Sequence, residues 1–373
     1  MAESSTSAAL RVALLDSIPT WGGGEKWCLD AATALRARGH FVAIACASGG
    51  ALAERASSAG IVTWPLRIGG WRNLAAALEL GAHLEREHVD VVVANIGRDV
   101  RLGAVACARS RAELVQRRGI ARKLKRDPLT RMIYRRSVRR VIANCAAIRD
   151  EMLGDGSVIG PERFVVIENG IELRDAGERG RARTRHAIAA DAPLALVVGR
   201  LAPMKGHEHL LRAWPRVLER VPRARLMLAG DGESGSRLRA LAGELGIDAS
   251  VVFTGFLRDL ADPYAAADVF VLPSVRDEGC NNALLESMAR GLPAVVTDCG
   301  GLPESVVHGE TGLVVPPADA PALADALARL LADPALRSTF GRAARRRAGE
   351  RYSIARVTAE LERVLRSVRD GAR

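Results

Sequence analysis

Aromatic side chains are scarce: five Trp, three Tyr and six Phe in 373 residues. So few rings do not furnish the stacking surfaces of a single-strand nucleic-acid binder, and no nucleic-acid module is recognisable. The six cysteines (Cys28, Cys46, Cys107, Cys145, Cys280, Cys299) stand apart with no paired spacing. That excludes a zinc knuckle or a disulfide framework and reads as reduced core or loop thiols in a cytoplasmic protein. No apolar run is long enough to cross a bilayer, and Met1 to Ala9 is polar, without the apolar core of a signal peptide. Neither a solenoid period nor an Asp-x-Asp pair at a strand end occurs.

What is present is strand–helix alternation. Short apolar segments at Leu10 to Leu15, Phe41 to Ala45, Val89 to Ala94, Leu114 to Gln116 and Arg140 to Asn144 read as strands of a first half. Leu194 to Val198, Arg225 to Ala229, Val251 to Thr254, Val269 to Leu272 and Ala294 to Thr297 read as strands of a second. The length fits two α/β domains better than one core. Asn169 to Arg183, charged and glycine-containing, reads as an exposed hinge or linker. The expectation is an α/β protein of two Rossmann-like domains facing each other across a cleft that holds the active site.

The most informative stretch is Glu278-Gly-Cys-Asn-Asn-Ala-Leu-Leu-Glu286, running on to Pro293. Asn281 or Asn282 caps a helix whose buried stripe is Leu284, Leu285 and Met288, and Gly291 with Pro293 ends it. A capped helix start collects backbone N–H groups and positive dipole charge, which suits a pyrophosphate. Glu278 in the loop and Glu286 inside the helix then stand ready for hydroxyls on either side of the phosphates. With the following strand and Gly300-Gly-Leu-Pro-Glu304, this resembles the signature of the retaining glycosyltransferases of family 4, which have the GT-B fold.

Two further segments carry the resemblance. Val198-Gly-Arg-Leu-Ala-Pro-Met-Lys-Gly206 places Arg200 and Lys205 after a strand. A forked donor and a mobile point charge suit a diphosphate. Trp21-Gly-Gly-Gly-Glu-Lys-Trp27 follows the first strand and precedes a helix reading Cys28 to Arg38. Its glycines let a ligand approach the backbone, and the helix start favours an anionic group. The resemblance implies donor contacts from Gly23, Gly24, Gly279, Cys280, Asn281, Asn282, Gly230 (of Gly230-Asp-Gly232) and Phe256, besides Arg200 and Lys205. Glu278 would meet sugar hydroxyls and Glu286 the ribose diol, while Trp21, Gly22 and Glu25 would sit on the acceptor side. It implies a nucleotide-diphosphate sugar as donor, a UDP-sugar ahead of a GDP-sugar, with no cofactor. Arg200 and Lys205 would answer the diphosphate charge, so no catalytic metal is expected.

The family pattern also implies domains of residues 1–172 and 173–351, with 352–373 crossing back to complete the first. Tyr352 to Val364 carries Ile354, Val357, Leu361 and Val364 at helical spacing. The chain departs from the family at two histidines, whose places fall near Asn95 and in Gln116-Arg-Arg-Gly119, and at a proline whose place is Asn281. Arg117 or Arg118 could then hold an anionic acceptor. The tryptophan-flanked glycines and Arg-Arg-Gly look closest to members building lipopolysaccharide or other envelope glycans.

Charge is concentrated. The formal net charge is +11, yet residues 101–140 hold fourteen Lys/Arg against two Asp/Glu, a net of +12. Leu129, Met132, Ile133 and Val138 can share one face of a basic amphipathic helix. Residues 117–140 therefore suggest an anionic membrane surface or a lipid-linked acceptor, hence a protein peripheral on the cytoplasmic membrane. A merely solvated basic surface comes next and nucleic acid last. Rival functions are a catalytically silent nucleotide-sugar-binding GT-B protein, against which intact Arg200, Lys205, Glu278 and Glu286 argue, and a basic nucleic-acid-binding protein. No motif supports an epimerase or phosphorylase.

Overall fold

The computed structural model describes residues 8–69, 72–120, 124, 127–154, 157–172 and 177–371. The chain divides into two compact units, Met1–Gly170 with Ile354–Arg373, and Ile171–Ser353.

The first unit holds β1 (Arg11–Asp16), β2 (Phe41–Ala47), β3 (Val62–Leu66), β4 (Val91–Ala94), β5 (Glu113–Arg118), β6 (Val138–Ala143) and β7 (Phe164–Val166). They pair in the order β3-β2-β1-β4-β5-β6-β7, all parallel. The second holds β8 (Leu194–Val198), β9 (Arg225–Ala229), β10 (Val251–Gly255), β11 (Val269–Leu272), β12 (Ala294–Thr297) and β13 (Gly312–Val315), paired β10-β9-β8-β11-β12-β13, again parallel. Each sheet is doubly wound. Central strands such as Leu194–Val198 are buried along their whole length because helices cover both faces.

Chain order reverses between β1 and β4 in one sheet and between β8 and β11 in the other. Ligands of open parallel sheets collect at such switch points, outside the carboxyl ends of the strands. The helix Ile354–Arg369 buries Val357, Leu361, Leu365 and Val368 in the same core as Leu35, Val91 and Ile142 of the first unit.

Three strands escape the sequence pattern: β3, β7 and β13. All lie at sheet edges. Edge strands tolerate proline, as at Pro65 of β3, and β7 and β13 span only three and four residues.

Two expectations need correction. Asn169 to Arg183 holds the boundary between the two units, and Glu172 and Glu178 to Arg181 are exposed, but its ends are not. Asn169, Ile171, Ala182 and Arg183 are buried, and Arg179–Arg185 is helical; residues 173–176 lie outside the described residues. The basic helix is shorter than its apolar spacing suggests. It runs Pro128–Arg136, capped by Asp127, whose carboxylate accepts from the backbone N–H and hydroxyl of Thr130. Val138 opens β6 and Ile133 is core, which leaves only Leu129 and Met132 of that face exposed. Residues 121–123 and 125–126 of the basic segment lie outside the described residues.

Candidate functional site

At the second unit's switch point the loop after β11 brings Glu278 back beneath the helix Asn282–Ala289. Glu278 is only 3% exposed. A buried carboxylate needs partners, and it has three. Lys205 Nζ and Ser274 Oγ both reach Oε1 at 2.5 Å, and Asn281 Nδ2 donates to Oε2 at 3.2 Å. Asn281 also caps the helix, its Oδ1 accepting from Leu284 N at 3.1 Å. One side chain thus fixes both the helix start and the carboxylate.

Two glycines make this approach possible. Gly206 (φ +67°) lies so close to the Pro273 carbonyl, and Gly300 (φ +53°) to that of Glu278, that a Cβ at either would overlap the oxygen. Asp277, just before Glu278, takes a left-handed φ of 61°. Such strain concentrates at functional loops.

Arg200 follows β8 by two residues and is exposed. Among the described residues its side chain has no hydrogen bond or ion pair. Arg200 and Lys205 both lie on the loop that follows β8, at the sheet edge where ligands of such folds collect. Gly230 packs against the Gly199 carbonyl and bridges Gly255, which makes the Gly230-Asp-Gly232 turn part of the same strand edge. Phe256, next in the chain, is 58% exposed. Glu286 accepts from the buried Tyr264 hydroxyl at 3.1 Å. Gly279 is buried, and the Cys280 side chain joins the core, so that residue faces a ligand through its backbone only.

The first unit's switch point is polar as well. β1 ends in Asp16 and β4 runs into Asn95, neighbours in register. Asn95 Nδ2 donates to Asp16 Oδ2 at 2.6 Å. Arg117, from β5, is 5% exposed. Its Nη1 donates to Asn95 Oδ1 at 3.0 Å and its Nη2 to Asn169 Oδ1 at 2.8 Å, and it lies over the Trp27 ring at 4.8 Å. Arg118, half-buried, has its carbonyl bonded to Asn144 N. The glycine run is not a loop ahead of Cys28: the helix starts inside it, at Gly23–Ala37, with Gly22 as N-cap. Gly22 and Gly23 are exposed, Gly24 packs against the Asn95 amide, and Glu25 is buried. Trp21 lies under Arg55, 4.1 Å away.

Burial first, and the nearby Asp16 charge second, push the Glu25 carboxyl up to about 7. Burial raises Asp99, at the start of the helix Gly97–Cys107, to about 7 also, with Asp16 adding to it and the bond from Ser17 and the Arg98 charge opposing. A raised folded-state value means that Asp99 costs no stability below its unfolded value of 3.8. The cost grows until the pH passes about 7. Asp99→Asn is therefore expected to unfold at a higher temperature than wild type at about pH 8, by on the order of a few kcal/mol, with the gap closing near pH 4. A gap independent of pH would contradict the assignment.

The sequence does not single out Asp16, Ser274 and Tyr264 as polar partners, and in it Asn169 reads only as the start of a hinge. Asp16 leaves one trace, an acidic residue closing an otherwise apolar strand. Among the described residues no three His, Cys, Asp or Glu side chains gather as metal ligands, and no helix is long and apolar enough to cross a membrane. A surface depression lined by Arg135, Leu153, Glu162 and Arg163 includes none of these site residues.

Residues 192–333 match the family described as glycosyl transferases group 1, and residues 21–175 match glycosyltransferase family 4. A D-inositol 3-phosphate glycosyltransferase of Actinosynnema mirum is 32% identical over 292 residues, 71% of this chain and 70% of that one. A GDP-mannose-dependent alpha-(1-6)-phosphatidylinositol monomannoside mannosyltransferase of Mycolicibacterium smegmatis is 37% identical over 179 residues, 46% of this chain. The matched segment spans 47% of that relative's length, so about half of it is compared. Among solved structures, a glycosyltransferase from Rickettsia africae aligns over 98% of this chain and 100% of its own, with a TM-score of 0.86 at 17% identity. Anabaena HepE in complex with UDP-glucose aligns over 96% and 100%, with a TM-score of 0.84 at 23% identity. These likenesses show the fold, GT-B with two Rossmann-like units.

Proposed function

The chain belongs to glycosyltransferase family 4, and from that premise we propose that it moves a sugar from a nucleotide-diphosphate donor to an acceptor hydroxyl with retention at the anomeric carbon. The observation that carries the proposal is the bond of Lys205 to buried Glu278, which Asn281, the cap of the Asn282–Ala289 helix, also holds, with exposed Arg200 on the same loop after β8 as Lys205. Arg200, Lys205 and that helix start meet the charge that grows on the departing diphosphate, which lowers the barrier. When the donor arrives, Lys205 turns from Glu278 to phosphate and frees the carboxylate for the sugar hydroxyls. Glu286 receives the ribose diol, Phe256 offers a face to the base, and the backbone of Gly279, Cys280 and Asn282 lines the phosphates. The acceptor oxygen bonds to the anomeric carbon as the bond to phosphate breaks on the same face, and the acceptor proton passes to the departing diphosphate. Arg200 and Lys205 carry the countercharge that a divalent metal would otherwise supply.

A UDP-sugar is the first candidate donor, since the HepE fold neighbour is solved with UDP-glucose. A GDP-sugar is the second, as the mycobacterial mannosyltransferase is GDP-mannose-dependent. The first unit, with Trp21, Gly22 to Glu25, Asn95, Arg117 and Arg118, takes the acceptor, a glycan or lipid-linked glycan of the cell envelope. Exposed Leu129 and Met132 among Arg131, Arg135 and Arg136 fit peripheral attachment to an anionic membrane.

The test is to follow UDP- and GDP-sugars by proton and phosphorus NMR with the full chain. The expected result is slow diphosphate release to water, with the first-formed free sugar in the donor's anomeric configuration. Inverted sugar would overturn retention, and no release from any donor would overturn glycosyl transfer.

A further inference from the structure

The charge pattern at the first unit's switch point separates two kinds of acceptor. A helix start such as that of Gly23–Ala37 ordinarily welcomes an anion. Here the place is filled from within, because the Glu25 carboxyl lies beside the backbone N–H groups of Gly22 and of Glu25 itself. Asp16 stands next to it, and Asp99 follows on the same edge. Of the cations near these carboxylates, Arg98 opposes the rise of Asp99 while bonded to Ser17, and Arg117 is directed at Asn95, Asn169 and the Trp27 ring. Two carboxylate oxygens remain: Glu25 Oε1 and Asp99 Oδ1 are buried and have no hydrogen-bond partner among the described residues. Glu25 is 3% exposed and Asp99 fully buried, and exposed Gly22 and Gly23 lie just outside Glu25 in the chain.

A hydroxyl both donates and accepts, so it matches a carboxyl in either protonation state. A phosphate or carboxylate only accepts near neutral pH and would meet buried like charge where screening is weak. We propose, resting on the reading of this unit as the acceptor side, that the edge formed by Gly22 to Glu25, Asp16 and Asn95 receives an uncharged, hydroxyl-rich ring of the acceptor and turns away a phosphorylated or carboxylated one. Any negative charge on the acceptor then belongs away from this edge. This reverses the expectation that Arg117 holds an anionic group.

Saturation-transfer NMR on the full chain tests this, with methyl hexosides and myo-inositol as neutral probes and hexose 6-phosphates and glucuronate as anionic ones, UDP or GDP being present. The expected result is transfer to a neutral ring at least about tenfold above its anionic counterpart, an energy gap of about 1.4 kcal/mol. Glu25→Gln, which keeps the shape and removes the charge, is expected to narrow that gap. Asp16→Asn serves instead if Glu25→Gln lacks a cooperative melting transition. Stronger transfer to the anionic rings, transfer to none, or a gap unchanged in the variant would overturn the proposal. The nucleotide signal in the same spectra reports separately on the donor site. A bound nucleotide with anionic rings preferred sinks the acceptor class alone, whereas an unseen nucleotide counts against the transferase reading.

Discussion

Lys205→Ala is expected to lose stability and activity together. Its amine is the cationic partner of Glu278, which is 3% exposed. Removing one member of a buried ion pair leaves the other charged and poorly solvated, which costs about 3–5 kcal/mol. Ser274 and Asn281 still donate to Glu278 and soften the loss, so the lower end applies. The same amine is proposed to meet the leaving diphosphate, and deleting one such donor lowers kcat by about 10²–10³-fold. Arg200→Ala makes the contrast. Arg200 is exposed and unpaired among the described residues, so its loss should change stability by no more than about 0.5 kcal/mol. It should still cost a comparable factor in rate. Melting curves and single-turnover rates on the two variants separate a structural from a catalytic role. An Arg200→Ala variant with undiminished rate would remove Arg200 from the mechanism.

The second large effect lies at the opposite edge of the same sheet, where β8 and β11 begin. Arg183 is 3% exposed and donates to the carbonyls of Ala189, Ala190, Ala192 and Ala266 and to Asp268 Oδ2. Asp268 in turn accepts from Leu194 N, so one guanidinium ties the Arg179–Arg185 helix to the starts of β8 and β11. Arg183→Met keeps the length of the side chain but takes this donor from the carbonyls of Ala189, Ala190 and Ala192, while Asp268 keeps Arg179 and Leu194 N. The expected loss is about 3 kcal/mol from the buried carbonyls left without a donor, a fall in Tm of roughly 10 °C for a unit of this size. Donor affinity of the folded fraction should be unchanged, since these strand starts lie at the amino edge of the sheet. A Tm within a degree or so of wild type would refute the anchor.

Much of this architecture was legible because parallel central strands are apolar on both faces and stand out between helices. Ten of the thirteen strands were found that way, and the three that were not are edge strands, although the fourth edge strand, β10, was found. The donor-side grouping was readable because Arg200, Lys205, Glu278 and Asn281 lie on loops that the strand pattern sends to one sheet edge. Ser274 was not, since a serine beside a proline says nothing of a carboxylate four residues on. In Asn169 to Arg183, which holds the unit boundary and is exposed over Glu178 to Arg181, polar composition misses the buried ends. Arg183 is instead buried under carbonyls and Asn169 under Arg117. Composition reports how polar a segment is, not whether its polar groups find partners inside. The same limit hid the partners of Arg117, one basic residue among fourteen, whose bond to Asn95 comes from strands β4 and β5 lying side by side.

The most direct measurement is thermal unfolding of wild type and Arg200→Ala against UDP, GDP, ADP and their sugars at millimolar concentration. Ligand that binds only the folded chain raises Tm by mass action, by about 2.7 kcal/mol of stability at a hundredfold excess over Kd. The account predicts a rise with UDP or GDP and the matching sugar in wild type, and a much smaller rise in Arg200→Ala. No rise with any nucleotide, or an equal rise in both proteins, would contradict a donor site built on Arg200, Lys205 and Glu278.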